Sequence, residues 1–353
     1  MLNNNESSPV RVLLVEDSIL QLHIIKSYLN NDSRIQVVGT AENGVEALKI
    51  LPNLRPDVIC TDYHMPEMDG LEFIKHAVQV YPCPILVLSI SVQPDQVDNI
   101  FKMLSAGAID VLPKPKANGG VIGKEEGAQL VDKILILNGV KYIKKKSSKS
   151  PSDQNTQCRI PRIVSPKIIL IGASTGGPQA LEVILSNLKD NFSIPIVCIQ
   201  HISRGFLGGM LTWLEGISKL VIEIAKDGCF PLPGHLYFPP EGSHLTFGSD
   251  GAFVLTAPKF SDLYCPSIDQ LFNSAARVYS SDVEAVILSG MGKDGASGMK
   301  SIFEAGGDTI AQDEDTSIIF GMPAEAINSS VVCNVLPVGE IAPYLNSLPR
   351  IES

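Results

Sequence analysis

A serine, a histidine and an aspartate stand out in this chain for where they fall. Ser174 lies in Ile171-Gly172-Ala173-Ser174-Thr175-Gly176-Gly177-Pro178, after an apolar run at 168–171. That run is short and branched enough to be a buried strand, and residues 179–185 after it have helical spacing. Ser174 thus sits on a glycine-rich strand-to-helix turn, which lifts its hydroxyl above a sheet edge beside amides that favour negative charge. His201 follows the apolar run 194–199. Asp294 lies in Ser289-Gly290-Met291-Gly292-Lys293-Asp294-Gly295-Ala296, after the run 285–288. In a parallel sheet, residues just past the carboxyl ends of the strands share one crevice. Serine, base and acid gathered there suit nucleophilic attack on an acyl group. His201 would take the Ser174 proton, and Asp294 would hold the imidazole in one tautomer. The 289–295 loop would turn a backbone N–H toward a developing oxyanion.

Plainer roles exist for each residue. The 171–178 turn could cradle a dinucleotide, but Ser174 replaces the central glycine of G-x-G-x-x-G. The next strand ends in Gln200-His201, without the acid that would hold a ribose. The turn could also carry a simple capping Ser or Thr. His201 could bond a backbone carbonyl, and Asp294 could cap the helix that follows it. His235 and His244 fall in a stretch of short strands and read as structural. The common placement of Ser174, His201 and Asp294 at strand ends favours chemistry.

A second group lies earlier. Glu16 and Asp17 follow an apolar run at 10–15, Asp62 follows one at 58–61, Ser89 ends one at 85–89 and Lys114 follows one at 109–112. Three carboxylates converging with one lysine repel unless a cation neutralises them. Oxygen-only donors suit Mg²⁺, which can bridge such acids to an incoming phosphoryl group. Asp62 would be the phosphoacceptor, with Ser89 and Lys114 on the phosphoryl oxygens.

The elements that must position these groups are legible as alternation. Strand candidates at 10–15, 36–39, 58–61, 85–89 and 109–112 alternate with helical segments at 19–29, 44–51, 70–80 and 96–106. Five β/α repeats of this size predict a doubly wound parallel sheet. A helix over 125–143 follows the break at Asn118-Gly119-Gly120, and residues 146–157 read as a mobile linker. Alternation resumes at 167, with short strands and a hairpin inserted between 220 and 258. The chain divides as 1–125, 126–166 and 167–353, an α/β protein with two bodies.

Composition agrees. The 353 residues are 44% hydrophobic and 19% charged, enough apolar material for two cores. Residues 1–116 carry 9 Lys and Arg against 14 Asp and Glu, residues 117–166 carry 9 against 4, and residues 167–353 carry 10 against 20. Two acidic bodies on a basic connector argue against nucleic acid as a partner, and Lys144-Lys145-Lys146 reads as a solvated face. Seven cysteines without a C-x-x-C pair suit a reducing compartment. Without a signal peptide or a bilayer-length apolar run, a cytoplasmic location without membrane insertion is expected.

Glu16-Asp17-Ser18, Thr61-Asp62, Met65-Pro66-Glu67-Met68-Asp69-Gly70 and Lys114-Pro115 resemble the receiver domain of two-component response regulators, a flavodoxin-like fold. The resemblance departs at Ile90, usually small, and at Val111, usually the aromatic switch position. The bulky Ile90 is expected to lengthen the life of a phosphoryl group. The second body resembles the chemotaxis protein-glutamate methylesterases. Its matching stretches are 171–181, Gln200-His201, Asp227-Gly228, Pro233-Gly234, 266–272, 290–295, 311–314 and Gly321-Met322-Pro323.

That resemblance implies a phosphorylation-activated serine esterase that removes γ-methyl esters of glutamate from methyl-accepting chemoreceptors. Deamidation of receptor glutamines is the family's companion reaction. It places Ser174, His201 and Asp294 on the triad, Met291 on an oxyanion-hole amide and Thr175 beside the nucleophile. It implies a chemotaxis-type histidine kinase as phosphodonor, an unphosphorylated receiver that restrains the esterase, and no cofactor for hydrolysis. Leu207, Trp213 and Cys265 depart from the family near the expected substrate entrance. They keep two alternatives open: a receiver-controlled binding protein without turnover, and an esterase acting outside chemotaxis.

Overall fold

The computed structural model describes residues 8–89, 94–115, 117–118, 121–140 and 166–349. Ile90, Gly119, Gly120, the lysine run and the 146–157 linker lie outside the described residues. The chain forms two compact units, Met1–Lys144 and Lys145–Ser353.

The first unit runs β1 (Val10–Val15), α1 (Ile19–Asn30), β2 (Ile35–Ala41), α2 (Gly44–Leu54), β3 (Val58–Asp62), α3 (Gly70–Val80), β4 (Ile85–Ser89), α4 (Pro94–Ala106) and β5 (Asp110–Pro113). A two-residue pair, β6 (Ala117–Asn118) with β7 (Val121–Ile122), precedes α5 (Lys124–Asn138). The sheet order is β2-β1-β3-β4-β5, all parallel. Strands β3 and β4 are buried along their whole length, as helices on both faces of a sheet require. Strand order reverses between β1 and β3, so their carboxyl ends frame a crevice. Side chains at three helix starts satisfy orphan amides: Ser18 accepts from Gln21 N, Asn43 from Glu46 N and Asp69 from Glu72 N. Helix α5 ends at Asn138, short of the expected 143, where Gly139 follows. Glycine has too much backbone freedom to extend a helix cheaply.

The second unit runs β8 (Ile168–Ala173), α6 (Gly177–Ser186), β9 (Ile196–Gln200), α7 (Leu207–Glu215), β10 (Val221–Ile224), β11 (His235–Phe238), β12 (His244–Phe247) and β13 (Phe253–Thr256). It continues with α8 (Ile268–Tyr279), β14 (Val283–Ile287), α9 (Ala296–Glu304), β15 (Asp308–Gln312), α10 (Met322–Asn328), β16 (Asn334–Leu336) and α11 (Val338–Ser347). Seven parallel strands order as β10-β11-β9-β8-β14-β15-β16. Within the inserted stretch, β11 pairs with β9 and β10 in this sheet, and only β12 and β13 form the antiparallel hairpin. Residues 236–238 are buried, so they belong in a covered sheet.

The core beneath the site joins Leu170, Ile199 and Ile287 of the sheet to Ile268, Leu271 and Phe272 of α8 and to Leu245 and Phe253 of the hairpin. Each such side chain contributes about 1.5–3 kcal/mol on burial. Helix α8 lies close on β8 because Gly172 has no side chain. A Cβ there would stand 2.6 Å from Ile268 Cγ2.

Candidate active site

Strands β9, β8 and β14 are neighbours, so Ser174, His201 and Asp294 follow the ends of three adjacent strands. Ala173 lies opposite Gln200, and Gly172 opposite Ile287, which brings the loops off at one level. Ser174 N donates to Ser289 O at 3.0 Å, and His201 N donates to Ala173 O at 2.9 Å. The Gln200 side chain bonds both turns, its Nε2 donating to Ser174 O at 2.7 Å and to His201 O at 2.9 Å. After Ser174 the chain reverses at Gly176, whose φ of 82° lies in the left-handed region that glycine tolerates.

His201 Nε2 faces two acceptors, Asp294 Oδ2 at 3.0 Å and Pro266 O at 3.1 Å. Two acceptors at one nitrogen require the proton there, which leaves Nδ1 with the lone pair a general base needs. Ser174 is half-buried, and its hydroxyl forms no hydrogen bond among the described residues. The serine–histidine link is open in this state, and such links commonly close only around substrate. The ring of Tyr264 stacks on His201, centroids 5.2 Å apart and planes 5° from parallel.

Asp294 is buried and accepts three further bonds, from Ser267 Oγ at 3.1 Å, Ile268 N at 2.8 Å and Asp269 N at 3.0 Å. Burial pushes its carboxyl up. The His201 hydrogen bond and the amides of Asp269 and Ile268 outweigh burial and hold it below the usual carboxylate range. The helix it caps is α8 instead of the helix that follows it. The N-cap of α9 is Gly295, and Asp269 reaches across to accept from Gly295 N at 3.0 Å and Gly298 N at 2.7 Å. Each of these two acids thus serves the other's helix. Burial, countered in part by these amides and reinforced by the Asp294 charge, raises the Asp269 carboxyl.

The 289–295 loop is anchored on both sides. Ser289 Oγ donates to Thr175 O at 2.8 Å, and Met322 N donates to Gly290 O at 2.8 Å. Thr175 is buried, whereas Met291 is half exposed and its N–H has no acceptor among the described residues. Beside His201 a cleft is lined by Gln200, Ile202, Arg204, Leu207, Cys265 and Pro266. Two of the three departing positions, Leu207 and Cys265, therefore meet there. Trp213 does not line it.

In the first unit, the Lys114 ammonium lies 2.7 Å from Glu16 Oε2 and 2.6 Å from Asp62 Oδ2. Lys114, Glu16, Asp62 and Ser89 are all buried. Lys114 N also donates to Ser89 O at 2.7 Å. Asp17 is exposed, and one carboxylate oxygen from each of Glu16, Asp17 and Asp62 lies within 4.8 Å of the others. Burial pushes the Glu16 carboxyl up more than Lys114 pulls it down, and the charge of Asp62 adds to the rise. Three carboxylates with one ammonium leave about two negative charges, which a divalent cation on oxygen ligands would balance. Val111 is buried in β5.

Two family models divide the chain. One, described as the response regulator receiver domain, matches residues 12–124. The other, described as CheB methylesterase, matches residues 169–345. A protein-glutamate methylesterase/protein-glutamine glutaminase from Nitrosospira multiformis is 38% identical over 343 residues, covering 96% of this chain and 97% of that protein. The chain belongs to the CheB methylesterase family. A relative of the same name from Carboxydothermus hydrogenoformans is 39% identical over 343 residues, 95% of this chain and 98% of its own. The crystal structure of the Thermotoga maritima CheB methylesterase catalytic domain is 39% identical, with a TM-score of 0.50, and covers 52% of this chain and 98% of that one.

Within the methylesterase unit, sequence reasoning missed the side chain of Gln200, the carbonyl of Pro266, the hydroxyl of Ser267 and the ring of Tyr264. Gln200 adjoins His201 in sequence, so strand-end logic reaches it. The other three come from a loop that touches the site only because α8 lies on β8. No spacing signals that approach. No helix among the described residues is long and apolar enough to cross a membrane.

Proposed function

We propose that this chain is a phosphorylation-gated serine esterase that hydrolyses γ-methyl esters of glutamate on chemoreceptors. Receptor glutamines are the amide counterpart at the same site. The observation that carries the reading is the imidazole of His201, committed at Nε2 to Asp294 and Pro266, at a strand end beside that of Ser174.

Ser174 Oγ attacks the γ-carbonyl carbon while His201 Nδ1 takes the hydroxyl proton. The carbonyl oxygen becomes an oxyanion that the free Met291 N–H receives. Collapse expels methoxide, which leaves as methanol with the proton from His201, and an acyl-serine remains. Water then attacks that ester, giving one proton to His201, which passes it to Ser174 Oγ as the alcohol departs. The carboxylic acid formed releases its remaining proton to solvent as the carboxylate. Asp294 stays ionised throughout and stabilises the imidazolium. Thr175 backs the nucleophile turn. With an amide substrate, ammonia leaves instead of methanol. No cofactor enters these steps.

In the receiver unit, Glu16, Asp17 and Asp62 would hold Mg²⁺, which supplies charge neutralisation for phosphoryl transfer. Asp62 is the acceptor, and Ser89 and Lys114 bind the phosphoryl oxygens. The phosphodonor is a chemotaxis-type histidine kinase, and the setting is the cytoplasm. Residues 1–125 with the helix α5 that continues from them form the control domain, the remaining residues to 166 the connector and 167–353 the enzyme. The phosphoryl group adds roughly −1.5 to −2 charge. Each tenfold gain in activity requires about 1.4 kcal/mol of bias between restrained and released states.

The test is methanol release from methylated receptor membranes, with and without a small phosphodonor and Mg²⁺. Release that rises with the phosphodonor is expected. No release under either condition would favour a binding protein, and release only from non-receptor esters would move the substrate outside chemotaxis.

A further inference from the structure

A second histidine–carboxylate pair lies behind the first. His244, on β12, is 1% exposed, and both its ring nitrogens are engaged. Its Nε2 is 3.0 Å from Asp262 Oδ2, and its Nδ1 accepts from Ser267 N at 3.3 Å. An amide can only donate, so Nδ1 carries the lone pair and Nε2 carries the proton toward Asp262. Burying an imidazole is tolerated when both nitrogens are bonded in this way.

Ser267 N and Pro266 O belong to one peptide unit. Its N–H points to His244, while its carbonyl accepts from His201 Nε2 at 3.1 Å. A planar trans peptide holds these two groups on opposite sides, so fixing one fixes the other. The same residue's hydroxyl donates to Asp294 Oδ1 at 3.1 Å, and the next amide, Ile268 N, donates to Asp294 Oδ2 at 2.8 Å. One acceptor of His201 Nε2, the Pro266 carbonyl, therefore belongs to the segment that His244 grips, and the other, Asp294, is held by that segment. The grip is rigid, because β12 is paired to β13 and Phe247 N donates to Ser274 Oγ of α8 at 3.0 Å.

We propose that His244, oriented by Asp262, is a positioning residue for the His201–Asp294 pair and acts through the Pro266–Ser267 peptide. The chain Asp262, His244, peptide, His201 is hydrogen-bonded end to end, with each bond polarising the next. When His201 becomes an imidazolium, its Nε2–H pulls on the carbonyl. The peptide N–H then becomes a better donor to His244, and no proton moves along the chain. The proposal rests on the esterase reading for its kinetic consequence alone.

The test uses the full chain with His244→Leu, which removes the acceptor, and His244→Asn, whose Oδ1 stands where Nδ1 stood. Misplaced groups of this kind cost up to about 10²-fold in rate. His244→Leu should lower kcat for methanol release by about that factor with KM little changed, and His244→Asn should restore most of it. The second readout needs no substrate. The low-field proton resonance of His201 Nε2–H, assigned by its loss in His201→Gln, should broaden or shift in His244→Leu and return in His244→Asn. A folded His244→Leu with an unaltered resonance, or an Asn variant no better than Leu, would overturn the proposal. If His244→Leu does not fold, Asp262→Ala, at the partly exposed end of the chain, decides by the same resonance. An unaltered signal there overturns the proposal too. If the wild-type chain released no methanol, the substrate reading would fail, and the resonance would still judge this one.

Discussion

Replacing Asp294 by Asn changes one atom and removes one charge, and the surrounding donors decide what that does. The carboxylate accepts from His201 Nε2 and Ile268 N on Oδ2, and from Ser267 Oγ and Asp269 N on Oδ1. The amide group has one acceptor and one donor, so it must turn its NH₂ toward one of these pairs. At the Oδ2 place the NH₂ would meet two N–H groups. At the Oδ1 place it meets the Asp269 N–H and a hydroxyl that can rotate to accept, so it turns there. His201 Nε2 then keeps an oxygen partner and its tautomer, and loses only the charge. A charge-assisted bond is worth about 1.5–3 kcal/mol against about 0.5–1.5 for a neutral one. The imidazolium formed in the transition state should therefore lose on the order of 1–2 kcal/mol, roughly 5- to 30-fold in kcat. The orphaned Asp269 N–H costs about 1–3 kcal/mol of stability, and Tm should fall by about 2–4 °C for each of these.

Both numbers come from one sample, by methanol release and thermal melting. The wild-type stability itself should weaken in acid. The Asp294 carboxyl is held low in the fold, so its contribution is complete above its unfolded pKa of about 4 and disappears as pH falls through the folded value. The Asn variant should lack this component. A kcat within about twofold of wild type would refute any role for the charge, and a loss near 10⁴-fold, the scale of a wrong-tautomer triad, would refute the orientation argued for the amide.

Ser174→Ala should abolish methanol release while melting like the wild type, since Ala fits the turn; near wild-type release would end the nucleophile assignment. Gly290→Ala would place a methyl 2.8 Å from Ser174 Cβ and against Met322 Sδ, so kcat should fall steeply; full activity would mean that the nucleophile turn yields easily. Asp62→Ala should lose phosphodonor labelling and Mg²⁺-dependent activation but keep basal release; labelling that persists would move the acceptor elsewhere. A fragment starting at Arg159 should be active without a phosphodonor, at least matching the phosphorylated full chain. A folded fragment with only the basal rate would make the receiver an activator instead of a restraint.

Which residues could react was legible from type and local pattern alone. Ser174, His201, Asp294, Asp62 and Lys114 each follow a short apolar run, and in a parallel sheet that placement brings side chains to one edge. Period and punctuation are local properties, so helices such as Gly70–Val80 and strands such as Val10–Val15 were readable to their ends. Strand order was not, because pairing between β8 and β14 joins segments more than a hundred residues apart and leaves no trace in either. For the same reason the capping role of Asp294 was misplaced by proximity. Its neighbour in sequence is α9, yet its carboxylate serves α8, because Gly172 lets α8 lie on β8 and brings that helix's free amides to it. His244 shows the limit most plainly. A histidine in a hairpin strand reads as structural from its flanks, and both of its partners lie in a loop about twenty residues on. Only the packing of that hairpin on α8 sets its Nδ1 against the one peptide unit whose carbonyl meets His201.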